Sequence, residues 1–244
     1  FGFGVANFRR AVDMLENSRY VVGTISPGPA QTISISVPAG TAQLKVMLYW
    51  NDPPAAAVSS QTLINNLDLE VVTPAPATVL PLILDTVPAN IKNAAVNGVD
   101  NINNIEQVVI ANPAAGSYTI RIIPTNIAVN PSQEYFVAYD FVPIETKLIT
   151  PIGGEAYLQG ENVMARWDSY GDPVNPFKLE YSIDNGSNWI LLRNNITSDR
   201  RQYFYTAPDP NEWFIVPAVT TDQALMRITR NSTALSGTSL PFVI

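Results

Sequence analysis

Neither cysteine nor histidine occurs in these 244 residues. The first absence excludes disulfides and thiolate zinc sites. The second removes imidazole as ligand and as general base, and with it every Ser-His or Cys-His nucleophile pair. Charge is also scarce: Asp, Glu, Lys and Arg make up 14% of the chain, against a usual quarter or so. Solubility therefore rests on Asn, Gln, Ser and Thr. What charge there is leans negative, 21 acidic against 14 basic side chains, which opposes the basic field that a phosphate backbone requires. No nucleic-acid partner is expected. Apolar runs long enough to cross a membrane are missing as well, so no membrane span is expected. No signal peptide opens the chain, and a start at Phe1 without methionine suggests a piece of a longer polypeptide.

What the chain does have is strand pattern. Residues 44–50 are almost continuously apolar, and in 63–72 Leu67, Leu69 and Val71 alternate with Asp68, Glu70 and Val72. Ile33, Ile35 and Val37 alternate with Thr32, Ser34 and Ser36, and Tyr118, Ile120 and Ile122 with Thr119 and Arg121. Such alternation is what an antiparallel sheet with one wet face needs. Further strands are expected at 106–110 and 134–139, with looser sandwich-edge loops over 74–104. Pro38-Ala39-Gly40, Asn112–Gly116 and Asn130-Pro131 mark turns.

Before this sandwich, residues 1–20 hold the one convincing helix. Val5, Phe8, Val12 and Leu15 share a face, which is expected to dock on the first sandwich through Phe8 and Leu15. Residues 141–147 read as a short linker. After it come candidate strands at 162–167, 177–182, 189–192, 202–206, 225–229 and 240–244, the spacing of an immunoglobulin-like sandwich. Met164, Trp167, Tyr181 and Trp189 either fill its core or form an aromatic carbohydrate platform. The expectation is an all-β chain of two consecutive antiparallel β-sandwich domains, 21–142 and 143–244, behind the helix of 1–20.

Four ordered segments carry a family resemblance: Leu48-Tyr49-Trp50-Asn51-Asp52-Pro53-Pro54, Leu63-Ile64-Asn65-Asn66-Leu67-Asp68-Leu69, Asn103-Asn104-Ile105-Glu106-Gln107-Val108 and Asn112-Pro113-Ala114-Ala115-Gly116-Ser117-Tyr118-Thr119-Ile120-Arg121. Together they resemble the jelly-roll domain, related to the P-domain of proprotein convertases, that follows the catalytic domain in many bacterial subtilisin-like proteases. The helix adds Gly2, Gly4, Val5, Ala6, Ala11 and Val12, similar to the last helix of such a catalytic domain. Pro151, Gly153, Gly154, Glu155, Trp167, Tyr181, Ser182, Asp184, Gly186 and Trp189 resemble a module common near the C-termini of secreted Bacteroidetes-type enzymes. The resemblance implies the noncatalytic C-terminal region of a secreted or cell-surface bacterial serine endopeptidase. Its partners would be the catalytic domain of the same parent chain and a protein substrate. The alternative is a carbohydrate- or surface-binding sandwich of another secreted enzyme.

Within the matched segments, Asp52, Asn66, Asp68, Asn104 and Glu106 supply the hard oxygens that calcium prefers, and Asp100 lies on the approach to Asn103. The resembled family often holds structural calcium in this barrel, although its usual L-V-N-D-L-D-L has aspartate where Asn66 stands. Otherwise Asp52 and the asparagines hold tight loops through side-chain-to-backbone bonds, with Asp68 solvated. Gly237-Thr238-Ser239 echoes a subtilisin nucleophile motif, but Ser239 lies far beyond the helix that such a serine precedes and opens an apparent terminal strand. No catalytic residue is expected in this segment.

Overall fold

In the computed structural model, which describes residues 7–198, 202–203, 214–233 and 235–244, the alternating stretches become antiparallel strands. The chain divides after Pro143 into two units. The first contains α1 (Phe8–Glu16), β1 (Tyr20–Ile25), β2 (Gln31–Val37), β3 (Thr41–Tyr49), β4 (Asn65–Val72), β5 (Thr78–Val79), β6 (Leu82–Ile83), β7 (Val96–Asn97), β8 (Ile105–Ala111), β9 (Gly116–Ile127) and β10 (Gln133–Pro143). Two four-stranded sheets are ordered β1-β10-β3-β8 and β2-β9-β4-β5, with β6 and β7 paired apart from them. The chain changes sheet at β1–β2, β2–β3, β3–β4, β8–β9 and β9–β10, the double Greek-key winding of a jelly roll.

Period-two patterning fills the space between these sheets. Leu44, Val46 and Leu48 on β3, with Val108 and Val137, meet Leu67, Leu69, Val71, Ile120 and Ile122 from the opposite sheet, all essentially inaccessible. Burying side chains of this size contributes about 1.5–3 kcal/mol each. Strand β1 carries little sequence signal, because only Ile25 of its six residues is buried. It is positioned partly by Gly23, where a Cβ would lie 2.4 Å from the Tyr135 ring.

Two expectations for this region are corrected. Residues 141–147 are not a linker: β10 stays in register with β3 through Phe141–Leu44 and Val142–Gln43 and reaches Pro143 after a register shift, and a new strand starts at Glu145. The helix does not dock through Phe8 and Leu15. Phe8, Val12 and Leu15 are 80%, 52% and 57% exposed, while Arg10 is the buried residue. The Arg10 guanidinium donates to both carboxylate oxygens of Asp140 at 2.7 Å and to the Phe141 carbonyl at 3.0 Å. A bidentate, charge-assisted clamp of this kind turns the polar side of the helix inward. Asn7 caps the helix by accepting from the Arg10 N–H. Gly2, Gly4, Val5 and Ala6 lie outside the described residues.

The second unit comprises β11 (Glu145–Thr150), β12 (Asn162–Val163), β13 (Ala165–Tyr170), β14 (Phe177–Ser182), β15 (Ile190–Ile196), β16 (Gln202–Tyr203), β17 (Phe214–Ile215), β18 (Leu225–Arg230) and β19 (Ser236–Thr238). Its sheets are β11-β13-β16 and β15-β14-β18-β19, with β12 and β17 paired separately. Leu179, Met226, Ile228 and Phe242 pack with Trp167, whose ring meets Phe177 edge-on at 5.4 Å. The fully buried Arg230 lies over the same Phe177, 3.9 Å from its centroid.

Met164, Trp167, Tyr181 and Trp189 do not form one platform. Trp167 is core and Met164 is exposed. Tyr181 packs against the core edge, and Trp189 is stacked with the Arg227 guanidinium at 3.9 Å. The strand expected at 240–244 is replaced by β19 upstream, while Phe242 and Val243 make isolated bridges to Ala224 and Ala156. Of the strand expected at 202–206, residues 204–206 lie outside the described residues.

Candidate cation site

A short register break organises the polar cluster of the jelly roll. Between Asn66 and Asp68 the pairing of β4 with β9 shifts, and β5 covers the other edge of β4 only at Val71 and Val72. The Leu69 N–H is therefore left beyond the reach of β5. Glu106, on the inward face of β8 in the opposite sheet, fills this gap: its Oε2 accepts from Leu69 N at 2.7 Å. The carboxylate thus joins the two sheets at the point where strand pairing stops.

The other carboxylate oxygen, Glu106 Oε1, is buried and has no hydrogen-bond partner. Asp68 Oδ1 and Asn66 Oδ1 are in the same condition. Glu106 is 1% exposed and Asn66 9%. Asp68, Asp100 and Glu106 line a cavity of about 40 Å³ together with Leu80, Pro81 and Val99. Burial, followed by the nearby Asp68 and Asp100 charges, raises the Glu106 pKa from 4.5 to about 8 despite its bond from Leu69 N. Burial also raises the Asp68 pKa, against a hydrogen bond from the Thr125 hydroxyl. Unpaired buried oxygens and mutually repelling carboxylates are costly unless a proton or cation joins them.

The sequence-predicted set separates into two groups. Asp68 and Glu106 meet at the cavity; Asn66 keeps a free oxygen but does not line it, donating instead to Asn101, and Asp52 and Asn104 do not join them. Asp52 accepts from the Ile64 and Asn65 N–H groups at 2.8 and 2.7 Å, which closes the long loop between β3 and β4. Asn104 donates to the Trp50 carbonyl at 2.8 Å. These two are the loop-holding residues of the alternative stated above, whereas Asp68 is half-buried rather than solvated. Asp100 belongs beside the cavity: its carboxylate accepts from Ile102 N, Asn103 N and Asn103 Nδ2. The Asp-x-x-Asn spacing of residues 100 and 103 signals that turn, but only the fold brings it to Asp68 and Glu106.

Asn65, fully buried, secures the neighbouring loops. Its Oδ1 accepts from Ala128 and Val129 N–H, its Nδ2 donates to Val129 O and Gln133 Oε1, and its carbonyl accepts from Trp50 Nε1. The carboxylates of Asp68, Asp100 and Glu106 at the cavity are donors of the type that a small hard cation takes. They supply only part of the six to eight oxygens that calcium takes, and no complete group of three carboxylate, histidine or cysteine ligands occurs among the described residues. Ser239 has a different role. It is buried in the second unit, where its Oγ accepts from Met226 N at 3.0 Å and its own N–H donates to Met226 O at 2.9 Å.

No family model matches the chain. Over 96 residues it is 33% identical to the serine protease/ABC transporter B family protein tagA of Dictyostelium discoideum, which amounts to 39% of this chain and 5% of that protein. The adhesin domain of Epf from Streptococcus pyogenes aligns over 92% of this chain and 76% of its own, at 8% identity and a TM-score of 0.33. The lipase BlEst2 of Bacillus licheniformis, in its propeptide form, aligns over 92% and 39%, at 9% identity and a TM-score of 0.28. Likenesses this low carry no argument about function. Among the described residues no helix is long and apolar enough to cross a membrane.

Proposed function

We propose that this chain is a noncatalytic, surface-binding β-sandwich region of a longer secreted or cell-surface polypeptide, with its jelly roll stabilised by calcium. The observation that carries this is the pair Asp68 and Glu106 at one cavity. Each has a buried oxygen without a partner, and the cavity of about 40 Å³ that they line with Asp100 has room for an ion or a water rather than a substrate. A cation there neutralises the carboxylates and fastens β8 to β4, leaving the outer surfaces of the sandwiches for recognition. Calorimetric titration with calcium, repeated on Asp68→Asn, tests the ion; a glycan array and binding to cell-surface preparations test the recognition. Absence of heat at millimolar calcium removes the ion from the proposal. Failure to retain any glycan or surface preparation removes the surface-binding role.

A second reading has one observation in its favour, the 33% identity over 96 residues to a protein named as a serine protease. It agrees with the four motif segments. In that reading the chain is the accessory region of a subtilisin-like serine endopeptidase, stabilises the catalytic domain of the same parent chain and assists binding of a protein substrate. Asp, His and Ser motifs of a subtilisin-like domain upstream of Phe1 in the gene are the expected finding. Their absence sinks this second reading and leaves the first intact.

A further inference from the structure

Between β5 and β8 the chain leaves the two sheets for residues 80–100 and then returns. Val79 at the outgoing end pairs with Val71 on β4, and Asn101 at the returning end accepts from Asn66 Nδ2 at 3.0 Å. Between these fixed points the two legs are tied to each other. β6 pairs with β7, the Gly98 N–H donates to the Pro81 carbonyl at 2.9 Å, and Asn97 Nδ2 donates to the Leu80 carbonyl at 2.6 Å. Asp85 orders the tip by accepting from Val87 N and Asn90 Nδ2. Among the described residues, every hydrogen bond of 80–99 has both ends inside that stretch.

Packing adds little over most of this length. No residue of 84–97 is buried, and Leu84, Val87, Ile91 and Val96 are each more than half exposed. Leu82 and Ile83 are half-buried; the two buried residues of 80–100 are Pro81 and Asp100, one on each leg. Both line the cavity that Asp68 and Glu106 line from the sandwich side, so the cavity is the seam between the two parts. Across it like charges oppose one another, Asp100 against Asp68 and Glu106. Glu70 also lines the cavity but is paired with Arg121 at 2.6 Å, and no basic side chain is among the lining residues. Repulsion parts such a seam, whereas a divalent cation turns the same carboxylates into a clasp. A stretch with so few buried contacts opens locally far more readily than the sheets behind it.

We propose that residues 80–100 form a calcium-operated strap: an ion held by Asp68 and Glu106 on the sandwich takes Asp100 as a further ligand and closes the strap, and loss of the ion releases it. The inference rests on the cation reading of this cavity. Asp100 has the capacity for both of its duties. Its Oδ1 accepts from Ile102 N and Asn103 N at 2.8 and 3.1 Å, while Oδ2 takes only Asn103 Nδ2, at 2.7 Å, and keeps a lone pair. With calcium bound, the exposed Leu84, Val87, Ile91 and Val96 are held in fixed places on the surface of the jelly roll. Without it, the strap offers Lys92 near its tip to proteases, so calcium supply sets the sensitivity of this region to cleavage.

Digestion of residues 1–244 with lysyl endopeptidase at pH 8, in calcium chloride and in EGTA, tests the strap, because Lys92 lies on it and Lys45 lies on the inner strand β3. At a calcium concentration about ten times the dissociation constant, cleavage after Lys92 is expected to be about ten-fold slower than in EGTA. Lys45 should stay uncut in both, and hydrogen exchange should show the same calcium-dependent protection over residues 84–98. Asp100→Asn keeps an oxygen for the Ile102 and Asn103 N–H groups. It is expected to shrink the calcium effect several-fold and, in EGTA, to be cleaved no faster than the wild type, since one opposing charge is gone. Cleavage after Lys92 and Lys45 that rises together in EGTA overturns the proposal, because calcium then stabilises the domain only as a whole. So does a calcium effect of full size in Asp100→Asn. Calorimetry on the same protein separates the two readings: no heat with calcium removes the cation and the strap with it, whereas heat without any change at Lys92 removes the strap alone.

Discussion

Arg10 on α1 and Asp140 on β10 are 130 residues apart in sequence and joined by two hydrogen bonds of 2.7 Å. Both side chains are largely shielded from solvent, and Arg19 reaches the same carboxylate at 3.3 Å. An isolated helix of nine residues is unstable in water, so this polar clamp, rather than an apolar seam, is what holds α1 to the sheet.

Arg10→Ala is accordingly expected to cost about 1.5–3 kcal/mol, the range for hydrogen bonds to charged groups, and to release amide protection over α1. Leu15→Ala, at an exposed position, should stay within about 0.5 kcal/mol. Urea unfolding with hydrogen exchange checks both. A larger loss from Leu15→Ala than from Arg10→Ala would contradict the observed helix orientation.

The helix also shows where sequence patterning stops being informative. Spacing of Phe8, Val12 and Leu15 identifies the apolar stripe correctly, but which side faces the sheet depends on Asp140, and no local pattern links that residue to Arg10. The strand at 177–182 is legible to the residue, and the alternation over 32–37 falls within β2, because pattern and turn residues agree there. Strand β1 is not, since its place comes from pairing with β10 and the close approach of Tyr135 to Gly23. At the cation site the oxygen-rich residue types are visible in sequence. Their division is not: Asp52 and Asp68 look alike until the backbone shows that one caps Ile64 and Asn65 while the other keeps a free oxygen beside Glu106.

Stability should depend on pH through Glu106. Its folded pKa is raised from 4.5 to about 8 by burial, so between these values the folded state keeps a proton that the unfolded chain has lost. The stability is fully present below about pH 4.5 and declines as pH rises towards 8, by at most about 1.4 kcal/mol per pH unit. The raised Asp68 pKa has the same sign. Urea midpoints measured in chelator from pH 5 to 9 should fall with pH, and Glu106→Gln should flatten the curve. An unchanged slope in Glu106→Gln would remove Glu106 as its source.

Ser239 should be chemically quiet. Its hydroxyl and backbone amide are both bonded to Met226, and the chain contains no histidine to serve as its base. A fluorophosphonate probe is expected to leave it unlabelled, and the purified chain should not cleave casein. Ser239→Ala should lower stability by about 1–2 kcal/mol by stranding the Met226 N–H. Active-site-dependent labelling at Ser239 would overturn the noncatalytic reading.

Calcium should act through Asp68 and not through Asp52. An ion that binds only the folded state stabilises it by about 2.7 kcal/mol at a hundred times its dissociation constant. The gain should be largest near pH 8, where chelator leaves Glu106 and Asp68 uncompensated. Asp68→Asn removes one charge and should reduce the calcium-dependent rise in melting temperature. Asp52→Ala should instead lower the melting temperature equally with and without calcium, because it frees the Ile64 and Asn65 amides while leaving the cluster at Glu106 in place. Magnesium, which gives up its waters reluctantly, should substitute poorly because a cavity of about 40 Å³ has no room for the waters it keeps. If Asp52→Ala abolishes the calcium response while Asp68→Asn retains it, the cation sits in the β3–β4 loop and not between β4 and β8.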